Sequence, residues 1–244
     1  MKRQIDINAD LGEGFGNDAK IMPLISSCSI ACGGHYGDKT TMLATIQLAK
    51  KYHVKIGAHP SFPDPDNFGR KYVSMTKSEL TNSLVEQLLN FYTVCETEDT
   101  LAHHIKLHGA LYNHAAIDPD IADAVMDAIV ATRLLPKLYV PYGSVLAQKA
   151  KNTCPIVYEA FIDRRYNDDR SLVSRSESIA LIKDSKYAFN QLLRIYNKAV
   201  VTTVSKSDIF IKAATFCIHG DHANSINILN YIHEQLPFYG IEVV

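Results

Sequence analysis

Several features that mark common classes of protein are missing from this sequence. Its 25 lysines and arginines stand against 26 acidic residues, form no basic block and leave a formal net charge of −1. Because nucleic-acid-binding proteins usually carry a basic surface, nucleic acid is not expected as the main partner. The opening residues, M-K-R-Q-I-D-I-N, lack the apolar core of a signal peptide. No stretch approaches the roughly 18 uninterrupted apolar residues of a membrane-spanning helix, so no membrane partner is expected.

The usual motifs of covalent catalysis and of zinc binding are absent as well. There is no G-x-S-x-G elbow, no H-E-x-x-H pair and no cysteine in an evident nucleophile context. Cys28 and Cys32 are four residues apart, which is not the usual zinc-ribbon spacing. The five cysteines, an odd number without a secretory signal, fit a reducing cytoplasm, and we expect them to be small buried hydrophobes. A hydrolytic reaction here would proceed without a covalent serine or cysteine intermediate.

What the sequence does contain is a regular alternation of strand and helix patterns. The strand patterns occupy 4–8, 29–32, 54–58, 103–107, 138–141, 156–161 and 214–218, with a small hairpin at 200–203 and 209–211. Helical patterns occupy 38–52, 76–91, 118–129, 144–151, 184–198 and 222–236. Parallel strands need crossover connections, so the alternation predicts a mainly parallel α/β sheet. Seven units in one domain, 1–244, favour a TIM-like (β/α) barrel, with an open doubly wound sheet as the alternative.

Ionisable side chains follow most of these strands at their carboxyl ends. A single histidine in such a place is most often a structural residue held by hydrogen bonds. In parallel α/β folds, however, the active site lies at this edge of the sheet. Several ionisable side chains at the carboxyl ends of different strands therefore predict an active site there. The residues are Asp10, His35, His59, His108, Glu159, Asp163 and His219. The other histidines are expected mainly on the surface or in packing.

The stretch I-K-L-H-G-A-L-Y-N at 105–113 places two such residues next to each other. Lys106 and His108 are two residues apart, so both should leave the same face of the strand. We therefore expect the pair to face the mouth of the barrel and Leu107 to face the helices. The alternative is a surface lysine whose aliphatic stem is partly buried.

Two kinds of chemistry suit these residues. Asp10, His35, His59, His108 and His219 are of the type that ligates Zn²⁺ or another divalent ion, although no short motif shows that any pair converges. Alternatively, an aspartate and a histidine act as base and acid while Lys106 and Arg164 stabilise a developing oxyanion or phosphate. Asp221 is expected to cap the last helix, which is compatible with ligand binding. The loop G-E-G-F-G at 12–16 lacks the G-x-x-x-x-G-K-[ST] pattern, so we interpret it as a close backbone approach.

Eight collinear motifs across nearly the whole chain resemble the LamB/YcsF family. They are N-A-D-L-G-E-G-F-G at 8–16, A-C-G-G-H-Y-G-D at 31–38, I-G-A-H-P-S-F-P-D at 56–64, F-G-R at 68–70, K-L-H-G-A-L-Y-N at 106–113, F-I-D-R-R-Y-N-D-D at 161–169, L-V-S-R-S at 172–176 and C-I-H-G-D at 217–221. The resemblance implies a barrel related to the glycoside hydrolase/deacetylase barrels. It also implies the role of the A subunit of 5-oxoprolinase, an enzyme that opens 5-oxo-L-proline to L-glutamate with ATP as co-substrate. The partners implied in this way are 5-oxoprolinase subunits B and C.

The same motifs carry the expected site residues. Catalytic roles are expected for Asp10, His59, Lys106, His108 and Asp163. Binding of substrate or nucleotide is expected for Asn8, Glu13, His35, Arg70, Arg164, His219 and Asp221. The motifs leave open which residues contact ATP and whether a divalent metal is bound. Two positions depart from the family pattern, since Gly34 replaces a usual phenylalanine and Leu107 a usual proline.

Two other functions remain open from the sequence. One is a metal-dependent deacetylase or amidohydrolase that acts alone on an acetylated sugar or a related amide. The other is a non-catalytic scaffold subunit whose barrel merely binds a carboxylate. The second is disfavoured, because a scaffold has no need for so many ionisable groups at one edge of the sheet.

Overall fold

Residues 3–244 are described by a computed structural model, and seven of their strands close into a parallel barrel. The strands are β1 (Arg3–Leu11), β2 (Ser27–Ala31), β3 (Lys55–His59), β4 (His104–Lys106), β5 (Lys137–Pro141), β6 (Ile156–Phe161), β7 (Val200–Thr202), β8 (Asp208–Phe210), β9 (Thr215–His219) and β10 (Ile241–Val243). The barrel order is β1-β2-β3-β4-β5-β6-β9, and β9 pairs back onto β1. The predicted barrel is therefore confirmed and the open sheet is wrong. The predicted hairpin is confirmed as the antiparallel pair β7–β8.

Eight helices accompany the strands in the described residues. They are α1 (Asp18–Ile21), α2 (Lys39–Lys51), α3 (Lys77–Thr97), α4 (Gly109–Ala115), α5 (Pro119–Ala131), α6 (Val145–Ala150), α7 (Ser185–Lys198) and α8 (Ser225–Gln235), with short 3-10 turns at Met22–Leu24, Pro65–Asn67 and Leu236–Tyr239. Capping residues explain several of the starts. Asp38 and Thr76 each form a reciprocal capping box, and the Asp118 carboxylate accepts two backbone N–H groups ahead of Pro119. None of these helices is long and apolar enough to cross a membrane.

Three features of the fold differ from the sequence prediction. Helix α4 was missed, because seven residues directly after a strand are too few to show a helical period. Strand β10 was missed too, and it pairs with the outer end of β1 rather than joining the barrel. The predicted N-cap at Asp221 is wrong, since α8 begins at Ser225 with Asn224 at its N-cap. The Asp221 carboxylate is instead engaged by two arginines.

The alternation of side chains along β1 explains why the barrel interior is polar. Ile7, Ala9 and Leu11 belong to the buried apolar cluster that the strands share with the helices. Asn8 and Asp10 leave the opposite face and meet Lys106 of β4 across the barrel. The parallel barrel thus directs the carboxyl ends of seven strands to one mouth, with polar side chains beneath it.

At Gly34, the first departure from the family pattern, the space for a side chain is already filled by other residues. A Cβ built on Gly34 would come within 2.4 Å of both Gln87 Oε1 and Ser61 Oγ. Gln87 also donates a hydrogen bond to the Ser61 carbonyl at 2.9 Å and accepts one from its N–H at 3.0 Å. A larger residue at position 34 would therefore require Gln87 to move.

Candidate active site at the carboxyl end of the barrel

A cavity of about 460 Å³ opens at the carboxyl ends of the strands. Half of the residues expected from the sequence line it, namely Asp10, Arg70, Lys106, His108, Arg164 and His219. The other half each contact one of these lining residues. They are Asn8, Glu13, His35, His59, Asp163 and Asp221. The structure therefore brings all twelve expected residues to one mouth, while their individual roles stay predictions.

The deepest part of the site is a set of contacts around the Lys106 ammonium, which we call the lysine network (Asn8, Asp10, Lys106, Glu159 and Cys217). Lys106 is 1% exposed. Its Nζ lies 2.9 Å from Asp10 Oδ1, 2.9 Å from Glu159 Oε1, 3.2 Å from Asn8 Oδ1 and 3.0 Å from Cys217 Sγ. The predicted inward direction of Lys106 is confirmed, and Leu107 is buried in the apolar cluster. The surface-lysine alternative is therefore wrong.

Electrostatics keeps this network charged despite its burial. Burial opposes the ammonium charge, but Asp10 and the other acceptors outweigh it and raise the pKa of Lys106 well above its usual value. Burial likewise would raise the pKa of Asp10, yet His59 and Lys106 hold it well below the ordinary range. For Glu159, burial outweighs the attraction of Lys106 and raises the pKa of the carboxyl. Lys106 and Asp10 are thus an ion pair at neutral pH.

Beside this network lies a second set, which we call the imidazole cluster (Glu13, His35, His59 and His108). All four side chains are buried, and each offers a ligand atom within 4.8 Å of the others. The ring of His35 stacks on that of His108 with centroids 3.7 Å apart and planes 4° from parallel. His35 Nε2 lies 3.1 Å from Glu13 Oε1. These four residues are a group of potential metal ligands.

Two hydrogen bonds to backbone carbonyls set the tautomers within the cluster. A carbonyl only accepts, so His59 Nδ1–H donates to the Lys106 oxygen at 2.8 Å, and His108 Nε2–H donates to the Phe68 oxygen at 2.9 Å. Burial, with the neighbouring His35 and His59, lowers the pKa of His108 well below its usual value. Burial also lowers the pKa of His35 to about 2. At neutral pH these two rings carry no charge.

Glu13 sits among these rings with an altered proton affinity. Burial and repulsion from Asp10 and Asp221 raise the pKa of the Glu13 carboxyl well above its usual value. The cluster contains no lysine or arginine, in contrast to the lysine network.

On the β6–β9 side of the cavity, Asp163 orients His219. Both Asp163 oxygens lie 3.0 Å from His219 Nδ1, and Oδ2 also accepts the His219 backbone N–H at 2.9 Å. Burial would raise the pKa of Asp163, but the contacts with His219 lower it. The aspartate therefore stays ionised and holds the proton of His219 on Nδ1, which leaves Nε2 free as an acceptor. The ring stacks on Phe161, with centroids 5.3 Å apart.

Arginines form the rim of the cavity. Arg70 and Arg175 both bind the Asp221 carboxylate, Arg175 with Nη1 2.6 Å from Oδ2. Arg164 is buried, donates to the Val173 carbonyl at 2.6 Å, and has an Nε without a hydrogen-bond partner among the described residues. Burial and the nearby Arg175 lower the pKa of Arg164 to about 10, so it remains a cation at neutral pH. The rim thus offers positive charge to an anionic ligand.

Sequence reasoning missed several contributors to this site. Arg175 lies within the motif at 172–176, but no strand end marks it. Tyr112, on the missed helix α4, donates to Glu159 Oε2 at 2.9 Å. Glu159, the one acidic residue of β6, was recognised as an ionisable residue near the strand end but was given no role. Cys217 was expected to be only a small buried hydrophobe, and it also contacts Lys106. All five cysteines are buried and unpaired, as predicted.

Comparison with known proteins finds relatives that match nearly the whole chain. The profile of the LamB/YcsF family matches residues 5–244. The A subunit of 5-oxoprolinase from Staphylococcus aureus (strain Newman) is 37% identical over 98% of both chains. Its namesake from Staphylococcus carnosus (strain TM300) is 38% identical over the same shares, 98% and 98%. All twelve expected site residues lie inside the matched region.

Solved structures show the same architecture. The crystal structure of the lactam utilization protein from Thermus thermophilus matches with a TM-score of 0.90 and 33% identity, covering 98% of each chain. The catalytic domain of a peptidoglycan N-acetylglucosamine deacetylase from Eubacterium rectale ATCC 33656 matches with a TM-score of 0.50 and 9% identity, over 100% of this chain and 88% of that one. The second likeness is one of fold alone.

Proposed function

This chain belongs to the LamB/YcsF family, and on that basis we propose that it acts as the A subunit of a 5-oxoprolinase. The reaction opens the lactam ring of 5-oxo-L-proline to give L-glutamate, with hydrolysis of ATP and together with subunits B and C. The observation that carries this proposal is a single cavity in which the buried Lys106–Asp10 ion pair and the Asp163-oriented His219 face the same space.

The charge of the cavity suits the proposed substrate. 5-Oxoproline carries a carboxylate beside its lactam, and the rim presents Arg70, Arg164 and Arg175. Guanidinium groups bind carboxylates through two parallel hydrogen bonds. Arg164 Nε has no partner among the described residues, which makes it the best-placed donor for that carboxylate.

The chemistry requires activation because a lactam is an unactivated amide with a poor leaving nitrogen. Transfer of a phosphoryl group from ATP to the lactam oxygen makes the ring carbon electrophilic and gives the oxygen a negatively charged substituent. Water then attacks the carbon, and His219 Nε2 accepts its proton while Asp163 stabilises the imidazolium. Lys106 stabilises the negative charge of the phosphoryl group carried by the former carbonyl oxygen. His219 returns the proton to the leaving nitrogen as the C–N bond breaks, which leaves a γ-glutamyl phosphate. A second water hydrolyses this acyl phosphate to L-glutamate and inorganic phosphate.

ATP use and assembly with partner subunits are proposed from the family membership and not from the geometry of the cavity. The loop at 12–16 does not follow the P-loop pattern, and its glycines 12, 14 and 16 all have positive φ angles of 71°, 81° and 73°. They serve a chain reversal at the mouth. The relatives are named as one lettered subunit of an enzyme, which supports assembly with further chains. The unpaired cysteines support the cytoplasmic location expected from the sequence.

A reconstitution experiment tests the function. The chain is mixed with candidate subunits B and C, 5-oxo-L-proline and ATP, and glutamate formation is followed. We expect glutamate only when all three chains and ATP are present. Lys106→Ala, His108→Ala and His219→Gln should abolish it in variants verified as folded. His103→Gln is the matched control, because His103 precedes β4 at the opposite end of the barrel. Near-normal turnover of the Lys106 and His108 variants would overturn the assignment.

A second candidate function is a metal-dependent deacetylase or amidohydrolase that acts alone. The imidazole cluster, a buried group of potential metal ligands, is the observation that favours it. A neighbouring cavity of about 500 Å³ shares Tyr112, Phe161 and Leu172 with the first and would extend the site for a sugar chain. Release of acetate from an acetylated sugar by the isolated chain, without ATP, would support this alternative.

A further inference from the structure

Two ring nitrogens in the imidazole cluster face each other as acceptors. His59 Nε2 and His108 Nδ1 are 3.0 Å apart, and each ring has already committed its N–H to a backbone carbonyl on its other side. A hydrogen bond needs one donor and one acceptor, whereas two neutral imidazoles in these tautomers offer two lone pairs. A proton or a metal ion must therefore lie between them.

The remaining neighbours of His59 Nε2 are carboxyl oxygens. Asp10 Oδ2 lies 3.4 Å away and Glu13 Oε1 lies 3.8 Å away. Glu13 Oε1 is also 3.3 Å from His108 Nδ1. Lys106 does not fill the gap, because its Nζ is engaged by Asn8, Asp10, Glu159 and Cys217 on the other side of Asp10. Four electron-rich atoms thus surround one small space.

The distances between these atoms match the ligand–ligand distances of a metal site. A tetrahedral ion bound at about 2.0–2.2 Å separates its ligand atoms by about 3.3–3.6 Å. The three separations among His59 Nε2, His108 Nδ1 and Glu13 Oε1 are 3.0, 3.3 and 3.8 Å, and they scatter around that edge. The His59 and His108 rings are 83° apart in plane, so both in-plane lone pairs can point to one ion.

His35 does not belong to this ligand set. Its ring is stacked parallel to that of His108, and two parallel rings cannot both direct their in-plane lone pairs at one ion. Its Nε2 instead lies 3.1 Å from Glu13 Oε1, where it can donate to the carboxylate and orient it. The two backbone carbonyls that accept from His59 and His108 have the same orienting role, which is a common feature of metal-bound imidazoles.

We propose that His59 Nε2, His108 Nδ1 and Glu13 Oε1 bind one divalent transition-metal ion of the Zn²⁺ type, with Asp10 Oδ2 at the side that faces the cavity. Imidazole and carboxylate donors suit Zn²⁺ and Co²⁺. The second group of potential ligands, Asp10, Cys217 and His219, is a different set, because Cys217 Sγ lies 3.0 Å from the Lys106 ammonium, which repels a cation there.

Direct metal binding tests the inference without any turnover, so the result is independent of the proposed reaction. The chain is stripped with a chelator and titrated with Zn²⁺ by calorimetry and with Co²⁺ by visible absorption. We expect one ion per chain, a Kd of about 1 µM or tighter, and Co²⁺ bands of a four-coordinate site. Thermal unfolding of the stripped chain should shift upward on addition of Zn²⁺.

Variants separate this site from its neighbours. Affinity should fall at least 100-fold in His59→Ala, His108→Ala and Glu13→Gln, and by about 10-fold in the orienting variant His35→Gln. Cys217→Ser and His219→Gln are the matched controls and should bind the ion as the wild type does. Circular dichroism verifies that each variant is folded. The wild-type Co²⁺ spectrum decides the outcome if a ligand variant unfolds.

Two results would overturn the proposal. One is the absence of stoichiometric binding by the wild-type chain, which would mean that a shared proton alone bridges His59 and His108. The other is unchanged binding in the folded His59→Ala and His108→Ala variants, or its loss in Cys217→Ser or His219→Gln.

Discussion

The lysine network and the imidazole cluster meet where Asp10 Oδ2 of the network lies 3.4 Å from His59 Nε2 of the cluster, but they are built in opposite ways. In the lysine network one ammonium lies 2.9–3.2 Å from atoms of four residues, so every contact pairs the donor group with an acceptor. In the imidazole cluster, acceptor atoms face one another and no described lysine or arginine is included. Two groups of polar side chains can therefore be equally buried and still differ. Whether each donor meets an acceptor decides whether the group is satisfied without a ligand.

The largest effect should come from removing the centre of the matched set. Lys106→Met leaves Asp10 and Glu159 buried without their cation, and we expect a loss of about 3–5 kcal/mol in the free energy of unfolding. Urea unfolding measures it. The control is Lys55→Met, whose partly exposed ion pair with Asp6 at 3.2 Å should contribute less than about 1 kcal/mol. Equal losses in the two variants would break the comparison.

The Asp163–His219 pair tests whether matching, and not the imidazole itself, gives stability. Asp163→Asn removes the negative charge and replaces one of the two accepting oxygens with an NH₂ donor, and we expect a loss of about 2–3 kcal/mol at pH 7.

The pH dependence of this variant has a definite sign. Because the pKa of Asp163 is lowered in the folded chain, its contribution is fully present above the unfolded value of about 3.9 and is lost as the pH falls below it. Urea unfolding at pH 7 and pH 3 should therefore show a smaller difference between wild type and variant at pH 3. A difference that grows in acid would contradict the assignment of the ionised state.

Within the imidazole cluster, a substitution should affect activity more than stability. His108→Asn removes one of two facing lone pairs and keeps a good N-cap for α4. We expect the free energy of unfolding to change by no more than about 1 kcal/mol, while ring opening falls by about 100-fold or more. Thermal unfolding and the glutamate assay measure the two effects. A stability loss as large as that of Lys106→Met would remove the distinction between the two regions.

The smallest effect on stability is expected at the rim. Asp221→Asn weakens the hold on Arg70 and Arg175, whose side chains are 38% and 24% exposed, so stability should change by less than about 1 kcal/mol. Because these arginines are proposed to meet the substrate carboxylate, KM for 5-oxo-L-proline should change several-fold with kcat retained. A drop in kcat at unchanged KM would place Asp221 in the chemical step instead.

Much of the site was predictable, because it depends on the alternation of side chains along a strand and on the residues at strand ends. The inward direction of Lys106 followed from its spacing to His108, and the strand-end rule brought His35, His59 and His219 to one edge. Asp221 shows the limit of local rules. An aspartate just before a helix usually caps that helix. Here the carboxylate of Asp221 binds Arg70 and Arg175 instead, and only the folded structure brings these arginines close to it.

The sequence by itself determined the alternation of strands and helices, the helix starts with capping signals, and the face of each strand that carries polar groups. These depend on interactions between near neighbours in the chain. Only the tertiary structure decided barrel closure through β1 and β9, the meeting of Asn8 with Glu159, and the tautomers of His59 and His108. The reason is that these contacts join residues far apart in sequence. Their distances and hydrogen-bond partners are set by strand register and burial, which no local pattern encodes.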